Sequence, residues 1–339
     1  ERLAAPDTHI ASFTVTEKGY CRKGDGTLDL ARADEGSIYG FLGEGLARRR
    51  ALGLPGLTLL SCDNLADNGR TLERLLGQWC AHHDPELGAW IAQTCTFPGT
   101  MVDRIVPATT DADRAAVARQ LGLTDEACVV TEAFSQWVIE DRFAGPRPAW
   151  EDVGVQIVTE VTPYEAAKLR MLNGAHSALA YIGLAAGHTF VHEAVADPAI
   201  RPVIEDLMRE EAAPTLTPAP GQDLDAYAKA LLARFENPAL EHRLAQIAMD
   251  GSQKIPQRWL ETLEANRKAG RSCPAILAAL KAWFRHLRGA NGPLEDPMAD
   301  ELATLARTHE DTELARQLFA PEGLLGGTWN ADTAEVFAG

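Results

Sequence analysis

The sequence predicts an α/β domain with a mainly parallel sheet, followed by an all-helical domain. Two observations carry that expectation. Through residue 161, short apolar, β-rich runs alternate with stretches of helical period, the pattern of strands joined by helices. From Pro163 onward no convincing strand occurs, only helical periods broken by Pro, Gly and polar turns. The expected domains are therefore residues 1–162 and 163–339.

Residues 10–15 open the chain as a buried strand that runs into the polar end Thr16-Glu17-Lys18-Gly19. In an open α/β sheet ligands sit beyond the carboxyl ends of strands, which makes Thr16 and Glu17 cleft candidates. Residues 37–52 carry Ile38, Phe41, Leu42 and Leu46 at helical spacing before the breaker Gly53-Leu54-Pro55-Gly56. A second strand, 57–62, is uniformly apolar, as in a parallel sheet buried on both faces. It ends in Asp63-Asn64 and leads into a helix marked by Leu72, Leu75, Leu76 and Trp79. Further strands are expected at 94–97, 127–131 and 154–161. Helices are expected at 164–194, 199–213, 223–236, 238–249, 252–269, 274–289, 297–307 and 310–318.

With 339 residues, the chain can bury a sizeable core. Its net charge of −16 argues against nucleic acid or an anionic membrane surface as partner. No apolar run is long enough to span a membrane, and the start lacks the pattern of a secretion signal. The six cysteines are scattered without a C-x-x-C pair, which favours free thiols in the cytoplasm. His82-His83-Asp84 reads as a solvated loop rather than a metal site.

The densest chemistry lies in 163–198, where Lys168-x4-Asn173-x2-His176 sits in a helical pattern. At about 100° per residue, Lys168 and His176 lie roughly 80° apart, with Asn173 about 60° beyond His176. A base, a neutral donor and an imidazole on one rigid element suit carbonyl chemistry. Taken alone, the same residues also describe a solvated lysine, a capping asparagine and a core histidine. A Gly-rich turn of the G-x-G-x-x-G type, expected after the first strand of a dinucleotide-binding sheet, does not occur.

Three motifs together are identifiable: Ser61-Cys62-Asp63-Asn64, Phe97-Pro98-x2-Met101-Val102-Asp103-Arg104 and Lys168-x-Arg170-x-Leu172-Asn173-x2-His176. With Gln136-Trp137-Val138-Ile139-Glu140-Asp141 and Asp250-Gly251-Ser252-Gln253-Lys254, they resemble the polyol-specific long-chain dehydrogenases, which include mannitol 2-dehydrogenase and fructuronate reductase (D-mannonate oxidoreductase). The resemblance implies a Rossmann-type domain whose N-terminal part is missing here, a helical substrate domain, NAD or NADP with NAD favoured, no metal, and a monomer. It implies reversible hydride transfer in carbohydrate metabolism. Lys168 would be the base, Asn173 and Asn64 the donors to the developing oxyanion, and His176 the substrate anchor. Asp103, Thr16 and Glu17 would lie by the cofactor. Lys254, Gln246 and Glu165 would serve the substrate, with Glu165 gating proton exit.

The run 246–258 looks closer to fructuronate reductases, because mannitol dehydrogenases usually have an Arg where Gln246 stands. The expectation is therefore D-mannonate/D-fructuronate, with D-mannitol/D-fructose as the alternative. A non-catalytic sugar-binding remnant is the alternative of another class, resting on the absent Gly-rich turn.

Overall fold

A computed structural model of the chain describes residues 1–327; the remainder of the expected 163–339 domain lies outside the described residues. The chain divides into two compact units. Unit 1 comprises Glu1–Arg104 and Ser135–Glu165, and unit 2 comprises Ile105–Phe134 and the chain from Ala166 on.

Unit 1 contains five strands: β1 (Ile10–Phe13), β2 (Thr58–Ser61), β3 (Thr100–Asp103), β4 (Gln136–Glu140) and β5 (Gln156–Val158). β1 and β2 pair in parallel, Ile10 opposite Thr58 through Phe13 opposite Ser61. Every residue of β2 is buried, as its unbroken apolar run requires. Residues 94–97, expected as a strand, contribute a single parallel bridge from Thr96 to Thr58.

β3 and β4 pair antiparallel, and β4 and β5 parallel, so this sheet is mixed. The expectation of a mainly parallel sheet holds for β1–β2 and β4–β5 and fails at β3–β4. A parallel return needs a crossover packed on the sheet. The chain between β3 and β4 instead belongs to unit 2, and its helix Asp111–Leu121 buries no residue. The strand expected at 127–131 is a loop, with Val129 64% exposed.

The helix Ile38–Ala51 starts at Ser37, whose hydroxyl accepts from Tyr39 N–H. It buries Tyr39, Leu42 and Leu46 but leaves Phe41 exposed, contrary to the apolar face read from the sequence. The fully buried Arg49 on the same helix donates to the backbone oxygens of Leu3, Ala5, Pro55 and Thr8, fastening the start of the chain to the core. The helix Asn68–His83 buries Leu72, Leu75 and Leu76 as its spacing predicts. Its entry needs Gly69, because a Cβ there would come within 2.6 Å of the Phe97 and Pro98 carbonyl oxygens.

The expectation that the N-terminal part of the Rossmann-type domain is missing is corrected. β1, β2 and the helices from Thr16–Gly19 to Asp111–Leu121 are Rossmann-fold elements of the N-terminal domain, present in this chain. The Gly-rich turn was the wrong marker. Buried strands and helix faces specify such a domain, whereas that turn only shapes a phosphate site.

Unit 2 is largely helical around one apolar core. Its central helix, Gly174–Ala185, is buried on almost every side, as an all-round apolar helix must be. Small residues let its neighbours approach: a Cβ on Gly183 would come within 2.7 Å of Leu244 and 2.8 Å of Ala194. The expected helix 164–194 is broken after Ala185 by Gly187 at φ +89°, the left-handed residue that ends many helices. The expected helix 238–249 shrinks to Leu244–Ala248. Buried Glu211 caps the helix Pro274–Leu287, accepting from Ala275 N–H at 2.6 Å and Ile276 N–H at 2.8 Å.

Candidate active site

In unit 1 the candidate residues gather at strand ends that are tightly fastened. Asp63, just past β2, accepts from Thr16 N–H at 2.7 Å, Val15 N–H at 3.0 Å and the Tyr20 hydroxyl at 2.9 Å. Thr16 is thereby held at φ +60°, a conformation costly for a β-branched residue. Buried Asn68 donates to the Asp63 and Thr100 carbonyls and accepts from Thr100 N–H, joining the end of β2 to the start of β3. Burial raises the Tyr20 phenol above its ordinary range, with Asp63 adding to the shift.

Among the expected residues, Thr16, Glu17 and Asn64 are exposed beside this framework. Glu17 pairs with Arg22 at 3.3 Å. Asp103, 3% exposed, is the last residue of β3 and lies opposite Gln136. Glu165 accepts from Asp67 N–H at 3.2 Å. These placements fit the polar part of a dinucleotide: exposed polar side chains lie at the ends of two parallel strands, above a carboxylate already occupied by backbone N–H groups.

In unit 2, Lys168 and Asn173 begin and end a π-helical turn, Lys168–Asn173, directly before the helix Gly174–Ala185 that carries His176. A π turn advances each residue by about 80° rather than about 100°. The arc spanned by Lys168, Asn173 and His176 then shrinks from about 140° to about 60°. The regular-helix reading of their spacing is corrected in the direction that brings the three together. No Gly or Pro lies in the turn, so packing imposes it; it packs against two further π turns, Leu207–Ala212 and Pro256–Leu260.

His176 stacks on Phe235 with centroids 5.1 Å apart and meets His242 edge-on at 4.9 Å. Its Nε2 is buried with no hydrogen-bond partner among the described residues. Burial, followed by the neighbouring His242, Arg258, Arg234 and Lys254, holds its pKa well below the usual imidazole value, so the ring is neutral near pH 7. Arg258 donates to the Asn173 carbonyl at 3.2 Å and to Ser177 Oγ at 2.7 Å, and burial lowers its pKa to about 10.

Lys254 turns back on its own segment, donating to the carbonyls of Met249 at 2.5 Å and Ile247 at 3.3 Å. Burial, aided by Arg258, lowers its pKa. Gln246 is exposed on the short helix Leu244–Ala248. Unit 2 thus carries Lys168, Asn173 and His176 on one continuous helical stretch, with Lys254 within electrostatic reach of His176, whereas Asn64, Asp103, Thr16, Glu17 and Glu165 belong to unit 1.

The sequence reading missed Asp63 and Asn68 as organisers of unit 1, and Arg258, Phe235 and His242 around His176. Two of them carried a signal: Asp63 within the motif Ser61-Cys62-Asp63-Asn64, and Arg258 four residues after Lys254 in the same helical run. His83 of the His82-His83-Asp84 run bonds Asp34 at 2.8 Å and packs at a tilt against Trp79, centroids 4.4 Å apart. Among the described residues no group of three or more His, Cys, Asp or Glu is arranged to hold a metal.

Two family models match the chain, and the first along it also takes in residues 105–134, which pack with unit 2. The family model for the mannitol dehydrogenase Rossmann domain matches residues 1–152, which bears out the correction above, and that for the mannitol dehydrogenase C-terminal domain matches residues 160–327. D-mannonate oxidoreductase of Escherichia coli (strain K12) is 41% identical over 338 residues, covering 95% of this chain and 70% of that protein. Mannitol 2-dehydrogenase of Phaeosphaeria nodorum is 42% identical over 324 residues, covering 90% of this chain and 57% of that one. A solved structure, the Pseudomonas fluorescens mannitol 2-dehydrogenase ternary complex with NAD and D-mannitol, superposes with a TM-score of 0.81 at 38% identity, covering 99% of this chain and 71% of that one. The chain belongs to the mannitol dehydrogenase family, the polyol and aldonate long-chain dehydrogenases, and so to the NAD(P)-dependent oxidoreductases.

Proposed function

We propose that the chain interconverts a sugar alcohol with its ketose, D-mannitol with D-fructose, acting as a monomer in the cytoplasm. The observation that carries the chemistry is the π turn from Lys168 to Asn173, whose smaller angular step narrows the arc between these residues and His176. The substrate is supported by the matched family domains and by the likeness to an enzyme solved with NAD and D-mannitol. The cytoplasmic location is supported by six cysteines that are all free.

Lys168 takes the hydroxyl proton in oxidation and returns it in reduction. Asn173 and Asn64 donate hydrogen bonds to the oxygen as negative charge grows on it, where one such donor contributes about 3 kcal/mol. Neutral His176 anchors a substrate hydroxyl, and Glu165 passes the proton onward. Lys254 and Gln246 meet the distal end of the substrate. Thr16, Glu17 and Asp103 hold the cofactor, which when bound supplies the hydride acceptor or donor.

A second reading, D-mannonate with D-fructuronate, has its own support in Gln246 and in the 41% identity to D-mannonate oxidoreductase. Titration with NADH followed by nicotinamide fluorescence, then reduction rates with fructose and fructuronate, tests both. A higher kcat/KM for fructose supports the first reading and a higher value for fructuronate the second. No NADH binding would sink both.

A further inference from the structure

The segment Ile105–Phe134 of unit 2 is closed at its base by a buried ion pair. Glu132 and Arg234, 3% and 7% exposed, meet side-on, with Arg234 Nη2 donating to Glu132 Oε1 at 2.8 Å and Nε to Oε2 at 3.0 Å. The same carboxylate accepts from Ile105 N–H at 2.6 Å, and Glu132 N–H returns a bond to the Ile105 carbonyl at 3.3 Å. The Arg234 guanidinium lies over the Phe134 ring, 4.0 Å from its centroid. One face of the guanidinium and its Nε–Nη2 edge are therefore held, which is how a buried charge pair becomes rigid rather than merely tolerated.

Arg234 is followed immediately by Phe235, the ring on which His176 stacks. Ile105, His176, Arg234 and Phe235 also line one cavity of about 10 Å³. A rotation of the helix Leu224–Phe235 that loosened the ion pair would carry Phe235 away from the imidazole.

We propose that Glu132 and Arg234 are positioning residues for His176: the buried pair fixes Phe235, and Phe235 fixes the plane of the imidazole that receives the substrate. The role of His176 as substrate anchor rests on the function proposed above, but the positioning does not, and the two fail separately. Burial of a pair alone would predict lost stability and nothing more.

The test compares Glu132→Gln and Phe235→Leu in the full chain. The first leaves Arg234 facing a neutral amide; the second removes the stacked ring and keeps the ion pair. Three quantities are read: KM and kcat for fructose reduction, NADH affinity by fluorescence, and the NMR shifts of the His176 ring protons, assigned by their loss in His176→Asn. We expect both variants to raise KM about tenfold or more with a smaller change in kcat and to keep NADH affinity, and we expect Glu132→Gln, which retains the Phe235 ring, to move the His176 ring-proton shifts away from their ring-current position. Folded variants with wild-type KM and unmoved His176 shifts would overturn the proposal. If Glu132→Gln does not fold, Arg234→Lys, which keeps the charge but cannot meet Glu132 side-on, takes its place and is read by the same KM and His176 shifts. If the wild type turns over no polyol or ketose, the proposed function fails while the NMR comparison still judges the positioning.

Discussion

Unit 1 fastens the strand ends that carry its candidate residues with carboxylate, amide and hydroxyl groups bonded to backbone, whereas unit 2 surrounds the helix that carries His176 with imidazole and guanidinium groups. In unit 1, Asp63 grips Val15 and Thr16, and Asn68 bridges β2 and β3, so each polar side chain fixes main-chain atoms of a distant segment. In unit 2, His176, His242 and His286 are driven below their ordinary pKa by burial, and Arg258 is lowered to about 10. The contrast separates two tasks. A cofactor needs a frame that does not move, while proton transfer and substrate orientation need groups whose charge state is set by their surroundings.

Removing the proposed base should have the largest effect. Lys168→Ala is expected to lower kcat by about 10²–10⁴-fold, measured as steady-state polyol oxidation. Loosening the frame of unit 1 comes next. Asp63→Asn should cost about 1.5–3 kcal/mol in chemical denaturation, because the bonds from Val15 and Thr16 lose their charge assistance and the oxygen that accepts from Tyr20 becomes an NH2 donor. It should also weaken NADH binding more than substrate binding; the reverse order would remove Thr16 from the cofactor's surroundings.

Acid should act on unit 2. The folded pKa values of His176, His242 and His286 lie below the unfolded value of about 6.5, so as pH falls through that value the unfolded chain takes up protons first. The stability they contribute is present above about pH 6.5 and is lost towards their folded pKa values. Calorimetry at pH 8, 6.5 and 5 should show a falling unfolding midpoint, and His286→Phe should flatten that slope. The smallest effect is expected at the exposed Gln246, where Gln246→Arg should change the fructose-to-fructuronate ratio of kcat/KM by only a few fold, the scale of an exposed ion pair.

Legibility in the sequence followed the same division. β2 was readable as a fully buried apolar run and the helix Asn68–His83 by the one face of Leu72, Leu75 and Leu76; β1 is a strand as expected but not a buried one, since none of its residues is buried and Ser12 is exposed. The loop at 127–131 was misread as a strand because β-rich composition does not report burial, and Val129 points to solvent. Lys168, Asn173 and His176 were legible as a group, but their geometry was not, since a 3.6-residue period presumes the regular helix that the π turn interrupts. Of the surroundings of His176, only Arg258 left a trace in the sequence, through its spacing from Lys254. Phe235, His242 and Arg258 come from three separate stretches, and no local pattern marks a tertiary contact between them.

The central claim is that unit 1 holds the cofactor and unit 2 supplies the proton. It is tested most directly by titrating Lys168→Ala with NADH and following nicotinamide fluorescence. The account predicts a dissociation constant within about twofold of the wild type in a protein that no longer turns over. Loss of NADH affinity in proportion to the loss of activity would contradict it and make Lys168 part of the cofactor site.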